Sequence, residues 1–190
     1  MGTKIIGTGS ALPGLTIHNT KLEEIMDTSD EGIRSRTGIE ERHIAVEETT
    51  TSLAVTAARK AMENAGVSGE EIDLIIVGTV SGEMCFPSTA CQIQAAVSAV
   101  HATAFDINAA CAGFLFGLSI VDAYFYAGRA KTALVIGAEV LSKMMDWADR
   151  STCVLFGDGA GAAVVRKEEG GLLSIVQGSD GGRGMALTCH

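Results

Sequence analysis

Phe105-Asp106-Ile107-Asn108-Ala109-Ala110-Cys111-Ala112-Gly113-Phe114 is the stretch that decides how the chain folds. Ahead of its turn, Ala102–Ile107 reads as a short buried strand. Beyond it, Phe114, Leu115, Leu118, Val121 and Phe125 recur at helical spacing, which predicts a helix from Cys111 to Ala127 stopped by Gly128. Cys111 therefore falls where a strand becomes a helix, at the helix's N-terminal end. Unpaired N–H groups and the positive end of the helix dipole favour a thiolate there. Ala109, Ala110, Ala112 and Gly113 are small enough for a substrate to approach closely. An inert core thiol is the simplest account of any one cysteine, but this placement is that of a nucleophile.

Working outward, 190 residues suffice for one sizeable core, and the default is a single domain over 1–190. With 47% apolar and 19% charged residues the chain is a globular protein and not a disordered one. A net charge of −9 without a basic cluster argues against nucleic acid and anionic membranes as partners. No apolar run has the length of a membrane span. The N-terminus opens on strand-like residues, not on an export signal. Five cysteines (Cys85, Cys91, Cys111, Cys153, Cys189) form no C-x-x-C pair, so reduced thiols and a cytoplasmic location are expected. His18, His43, His101 and His190 lack metal-ligand spacing, and no metal site is expected.

Taken in order, Lys4–Gly9 is a first strand closing in the turn Gly7-Thr8-Gly9-Ser10. Its G-x-G lacks the third glycine and the helix of a dinucleotide fingerprint. Asn19 caps a short helix, Thr20–Met26. Asp27–Arg36 is polar, with Arg34 and Arg36 close to Thr28, and Glu40–His43 is a charged, solvated patch. Thr50–Ala65 is a helix with Leu53, Ala57, Ala61 and Met62 inward, closed by Gly66. Asp73–Gly78 is a central strand buried on both faces. Ser88 caps a helix running through Ile93 and Val97. Thr132–Ala138 is another buried strand, and Asp146–Arg150 is a polar loop with Asp146 and Asp149 as caps. Phe156-Gly157-Asp158-Gly159-Ala160-Gly161-Ala162 reads as a tight turn before the strand Ala162–Val165, because no helix follows to make it a phosphate loop. Gly171–Gly178 is the last strand, and from Ser179 the chain is glycine-rich and irregular. Alternating strands and helices make an α/β layered fold with a mixed, largely parallel sheet.

Thr3–Ser10, Asp27–Glu31, Arg36–Ile39, Glu41–Ile44, Phe86-Pro87-Ser88, Ala90–Gln94, Ala109–Phe114 and Phe156–Ala162 occur in an order and spacing that span almost the whole chain. In these segments the chain resembles the N-terminal half of bacterial β-ketoacyl-acyl-carrier-protein synthase III, a condensing enzyme of the thiolase fold. The resemblance implies an acyltransferase of fatty acid biosynthesis with Cys111 as its acyl-accepting nucleophile. A short acyl-CoA would acylate Cys111, and malonyl-acyl-carrier protein would then lose CO2 and attack the thioester. CoA is a substrate here, and no cofactor is implied. The resemblance further implies that Thr28, Arg36 and Arg150 bind CoA. It implies a homodimer in which Phe86 reaches into the partner's acyl pocket, and it places Leu141 and Phe156 on that pocket's wall.

Two departures stand out. Gly32 occupies the position where the family normally has a tryptophan stacked on adenine. The family also continues into a second half, absent from these 190 residues, that supplies a catalytic histidine and asparagine; none of the four histidines here falls at that position. The leading reading is thus a thiolase-like half carrying the nucleophile. The alternative is a catalytically incomplete fragment or a non-catalytic partner subunit. A nucleotide-binding module built on Gly7 or Gly157 is the weakest of the three, since neither glycine run opens a helix.

Overall fold

The computed structural model describes Gly2–Thr188; Met1, Cys189 and His190, with the readings that touch them, lie outside the described residues. In chain order the elements are β1 (Gly2–Ala11), β2 (Leu15–His18), α1 (Asn19–Leu22), α2 (Asp30–Thr37), β3 (Glu41–Ile44), α3 (Thr50–Ala65), β4 (Leu74–Gly78), α4 (Thr89–Ala96), β5 (Thr103–Ile107), α5 (Gly113–Tyr126), β6 (Thr132–Val140) and β7 (Asp158–Glu168). Five strands form one sheet in the order β1-β7-β6-β4-β5, while β2 and β3 pair as a separate ribbon. β7 runs antiparallel to both β1 and β6, and β4 runs parallel to β5 and β6. Four strands therefore point one way and β7 the other, which is the mixed, largely parallel α/β sheet expected.

The strand period of two divides the core between the sheet's faces. Ile75, Val77, Leu134, Ile136 and Val164 join α3 and α4 in one buried cluster. Leu74, Ile76, Val135, Ala163 and Val165 meet Leu118, Val121 and Phe125 of α5 in the other. α3 forms as its spacing predicts. Thr49 and Ser52 exchange side-chain and backbone bonds as a capping box, and Gly66 ends the helix at φ 64°. Ser88 caps α4 by accepting from the Cys91 N–H.

Several expectations are corrected. Gly7 and Gly9 lie inside β1 and form no turn, because α3 crosses there in contact with the strand's backbone. A Cβ on Gly7 would lie 2.6 Å from the Ala61 carbonyl, and one on Gly9 would lie 2.3 Å from that of Ala57. Gly159 and Gly161 likewise lie within β7, which starts at Asp158. β5 is an edge strand and only half-buried, since β4 covers one side of it alone. Asn19 does not cap a helix; it is buried, and α1 ends at Leu22. Glu40–His43 is no solvated patch, because Glu41–Ile44 pairs with β2 and buries Arg42. Gly171–Gly178 forms no strand. Its apolar residues have no partner strand among the described residues, and Leu173 and Val176 are almost fully exposed.

Candidate active site

The parallel strands deliver their C-terminal ends to one place. Gly78 ends β4 level with Ile107 of β5 and Gly137 of β6, and Asp158 opens β7 beside Val140. In α/β sheets this edge is where ligands bind. Across it lies the start of α5, brought close by two glycines: a Cβ on Gly78 would stand 2.9 Å from the Gly113 backbone, and one on Gly113 would stand 3.0 Å from Gly78 Cα. Cys111 occupies the 3-10 turn Ala110–Ala112 that leads directly into α5, not the α-helix itself. Its thiol is free and exposed. Ala110 just before it has φ 44°, a left-handed conformation that costs a non-glycine residue about 1–3 kcal/mol and tends to persist at functional sites.

Cys111 opens into a pocket of about 290 Å³ walled by Gly78, Ala110, Phe114, Gly137, Ala138, Glu139, Gly157, Gly159, Ala160 and Gly161. Apart from Phe114 and Glu139 these residues have side chains no larger than a methyl group beyond the cysteine, so backbone forms most of the wall. The site can admit a small acyl group against the thiol.

Thr28, Arg36 and Arg150 come together in a second, larger cleft of about 650 Å³, which also includes Asp27, Ser29, Gly32, Ile33, Thr37, Ser151, Val154 and Leu155. The local fold explains the gathering. Ser29 caps α2 by accepting from the Gly32 N–H, and Gly38 ends that helix at φ 73°, which aligns Gly32 and Arg36 one turn apart. Arg150 crosses from the opposite side, donating to the Asp27 carboxylate at 2.9 Å and to the Asp27 carbonyl. Hydrogen bonds from the Ser151 hydroxyl, and then from Thr152, hold the neighbouring Asp149 carboxyl below the usual carboxylate range. Two guanidinium groups, a hydroxyl and backbone at one cleft suit a polyanionic ligand.

The other expected residues are not brought to these walls. Phe86 projects into solvent at 84% exposure on the loop after β4. Leu141 and Phe156 are half-buried and flank the Cys111 pocket in sequence, but neither lines it among the described residues.

Three comparisons bear on this geometry. The family model for 3-oxoacyl-[acyl-carrier-protein] synthase III matches residues 105–181. A β-ketoacyl-[acyl-carrier-protein] synthase III from Xanthomonas campestris is 54% identical over 95% of this chain and 56% of the relative. One from Aquifex aeolicus is 57% identical over 89% of this chain and 55% of the relative. Over 89–95% of its length the chain is thus similar to β-ketoacyl-acyl-carrier-protein synthase III enzymes at more than half identity. Its fold agrees: the crystal structure of the Aquifex aeolicus enzyme superposes with a TM-score of 0.87 over 89% of this chain and 55% of that one. The Thermus thermophilus enzyme, 42% identical, superposes at 0.90 over 95% and 57%. The chain spans about half the length of the relatives it matches.

Within the family fold, Gly32 has a clear consequence. The Arg36 guanidinium folds back to donate to the Gly32 carbonyl at 2.8 Å. A Cβ at residue 32 would stand 3.2 Å from that nitrogen and 2.9 Å from Ser29 Oγ. With no side chain at residue 32, the guanidinium lies against the helix turn itself.

Two buried polar supports went unread in the sequence. Asp158, 5% exposed, accepts from the Ala45 N–H at 2.7 Å, the Ser142 N–H at 2.9 Å and the Ser142 hydroxyl at 2.6 Å, tying three segments together beneath the pocket. Arg42 donates to the Ile17 carbonyl and to Asn19, and Asn19 in turn donates to Asp30 and the Ile39 carbonyl. Burial pulls the Arg42 guanidinium below its ordinary value. Burial, reinforced by Asp149, pushes the Cys153 thiol up, so that cysteine is a core residue while Cys111 is presented. All of these ties are long-range and leave no local signature. Among the described residues no group of ligating side chains could hold a metal, and no helix is long and apolar enough to cross a membrane.

Proposed function

We propose that this chain carries the acyl-accepting half of a β-ketoacyl-acyl-carrier-protein synthase III reaction, with Cys111 as the nucleophile. The observation that carries the reading is the exposed Cys111 thiol on a strained turn, at the C-terminal edge of the sheet and against the start of α5. The thiolate attacks the carbonyl of a short acyl-CoA, the tetrahedral intermediate collapses, and CoA leaves as its thiolate and takes up a proton. The acyl group remains on sulfur. Backbone N–H at the Cys111 turn supports the oxyanion. Thr28, Arg36 and Arg150 hold the CoA phosphates and ribose, with the Asp27–Arg150 pair opening as the ligand enters. CoA is a substrate, and the chemistry as written needs no cofactor.

In the second step malonyl-acyl-carrier protein loses CO2, the resulting carbanion attacks the acyl-cysteine, and the β-ketoacyl product leaves with regeneration of the Cys111 thiolate. The histidine and asparagine that the family uses to stabilise this carbanion belong to its second half. The working assembly is a homodimer in which Phe86, exposed here, is covered by the partner, and 1–190 is the N-terminal thiolase-like domain. The fatty acid biosynthesis role and the cytoplasmic location follow from the same reading.

The two steps separate experimentally. Labelled acetyl-CoA should release CoA and leave label on the protein, and malonyl-acyl-carrier protein should then yield CO2 and labelled acetoacetyl-carrier protein. Label without product would favour the alternative, a catalytically incomplete fragment. No label at all would overturn the reading.

A further inference from the structure

Among the described residues Glu139 is the one charged side chain in the wall of the Cys111 pocket, and its carboxylate faces the loop that leaves that pocket. β6 outruns β4: Gly137 pairs with the last residue of β4, so residues 138–140 extend beyond the end of its partner. Beyond Gly78 the Thr79 N–H still donates to the Ile107 carbonyl of β5 at 3.2 Å, but the ladder to β6 is lost and Glu139 takes its place. It accepts from the Val80 N–H at 2.9 Å, the Thr79 hydroxyl at 3.2 Å and the Ser81 hydroxyl. Ser81 Oγ also accepts from the Val140 N–H at 2.9 Å, and Thr50 of α3 donates to the Ser81 carbonyl at 2.7 Å. The loop is thereby fixed to β6 and α3 at its root. Its tip carries Met84 and Phe86, 55% and 84% exposed.

We propose that Glu139 is a positioning residue that sets which acyl groups the Cys111 site accepts, by fixing residues 79–81 where they continue from Gly78 in the pocket wall. The inference rests on Cys111 being the acyl acceptor. A carboxylate suits this role because all its loop partners are donors, and hydrogen bonds to a charged group outweigh neutral ones. Ser81 Oγ both donates to Glu139 and accepts from Val140, so the segment responds as one unit.

The test uses the chain itself, with Glu139→Ala and Glu139→Gln. Acylation of Cys111 is followed with acetyl-CoA and with octanoyl-CoA, and hydrogen exchange is followed over residues 79–87 and over α5. In Glu139→Ala, exchange over 79–87 should accelerate about tenfold or more while α5 is unchanged, and the octanoyl-to-acetyl rate ratio should shift by a similar factor. Glu139→Gln keeps an acceptor for the Val80 N–H and should restore both readouts to within about threefold of wild type. An unchanged rate ratio in Glu139→Ala overturns the proposal, as does a uniform loss of protection across the chain. If the wild type takes no acyl group at Cys111, the functional reading fails and the selectivity claim fails with it. A localised exchange effect would then still mark Glu139 as the loop's anchor.

Discussion

The two cavities are built by opposite means. The Cys111 pocket is walled mostly by backbone, at a point where Gly78 and Gly113 touch and β4 and β5 end. The Arg36–Arg150 cleft is walled by side chains, and its two arginines already hold partners of their own, the Gly32 carbonyl and Asp27. Reacting atoms need fixed geometry, which secondary structure supplies at little entropic cost. A polyanion needs charge that can rearrange, which exposed pairs supply because they are individually weak. The pocket should therefore respond to mutation through stability and the cleft through affinity.

The strongest attempt to break that contrast is Gly78→Val. Its branched side chain would have to force α5 from the sheet, so we expect a loss of about 3 kcal/mol or more, read as a lower urea midpoint, together with loss of Cys111 acylation. Next is Asp158→Ala, which strands two N–H groups and a hydroxyl in the interior. A loss of about 2–4 kcal/mol is expected in the same measurement. Arg36→Ala and Arg150→Ala should leave the unfolding free energy from urea titration within about 0.5 kcal/mol of wild type, since both residues are exposed. Each should weaken CoA binding by titration calorimetry about tenfold, more at low salt than at high. If either arginine variant unfolds readily, or if Gly78→Val folds normally, the contrast is wrong.

The smallest effect is in the Asp149 turn. Its carboxyl is held low in the folded chain, so the hydroxyl bonds are complete at neutral pH and through the ordinary carboxylate range. They are lost only as pH falls through the lower, folded-state value. The Ser151 amide resonance should titrate below a normal aspartate and stop titrating in Asp149→Asn. A step in the ordinary range would contradict this.

How much was legible varied with the range of the interaction. Leu74–Gly78 and Thr50–Ala65 announce themselves, because an apolar run and an apolar stripe are local patterns. So does the turn at Cys111, whose strand and helix flank it directly. The glycines misled wherever their reason lay elsewhere in the chain. Gly7 and Gly9 look like a turn until Ala57 and Ala61 are seen against them, and Gly159 and Gly161 look like one until β7 is paired with β1 and β6. Gly171–Gly178 has a strand's composition, but a strand also needs a neighbour. Asn19, Arg42 and Asp158 are polar residues that sequence assigns to a cap, a solvated patch and a tight turn respectively. Their burial depends on partners between 11 and 113 residues away. Thr28, Arg36 and Arg150 came from family resemblance, and the fold brings them to one cleft.

The central claim is that Cys111, among four free cysteines in the described structure, is the acyl acceptor. The most direct test is the intact mass of the protein after incubation with acetyl-CoA, beside Cys111→Ser treated in the same way. One acetyl group on the wild type and none on the variant is the predicted result. An unmodified wild type, or an adduct that survives in Cys111→Ser, would contradict the account.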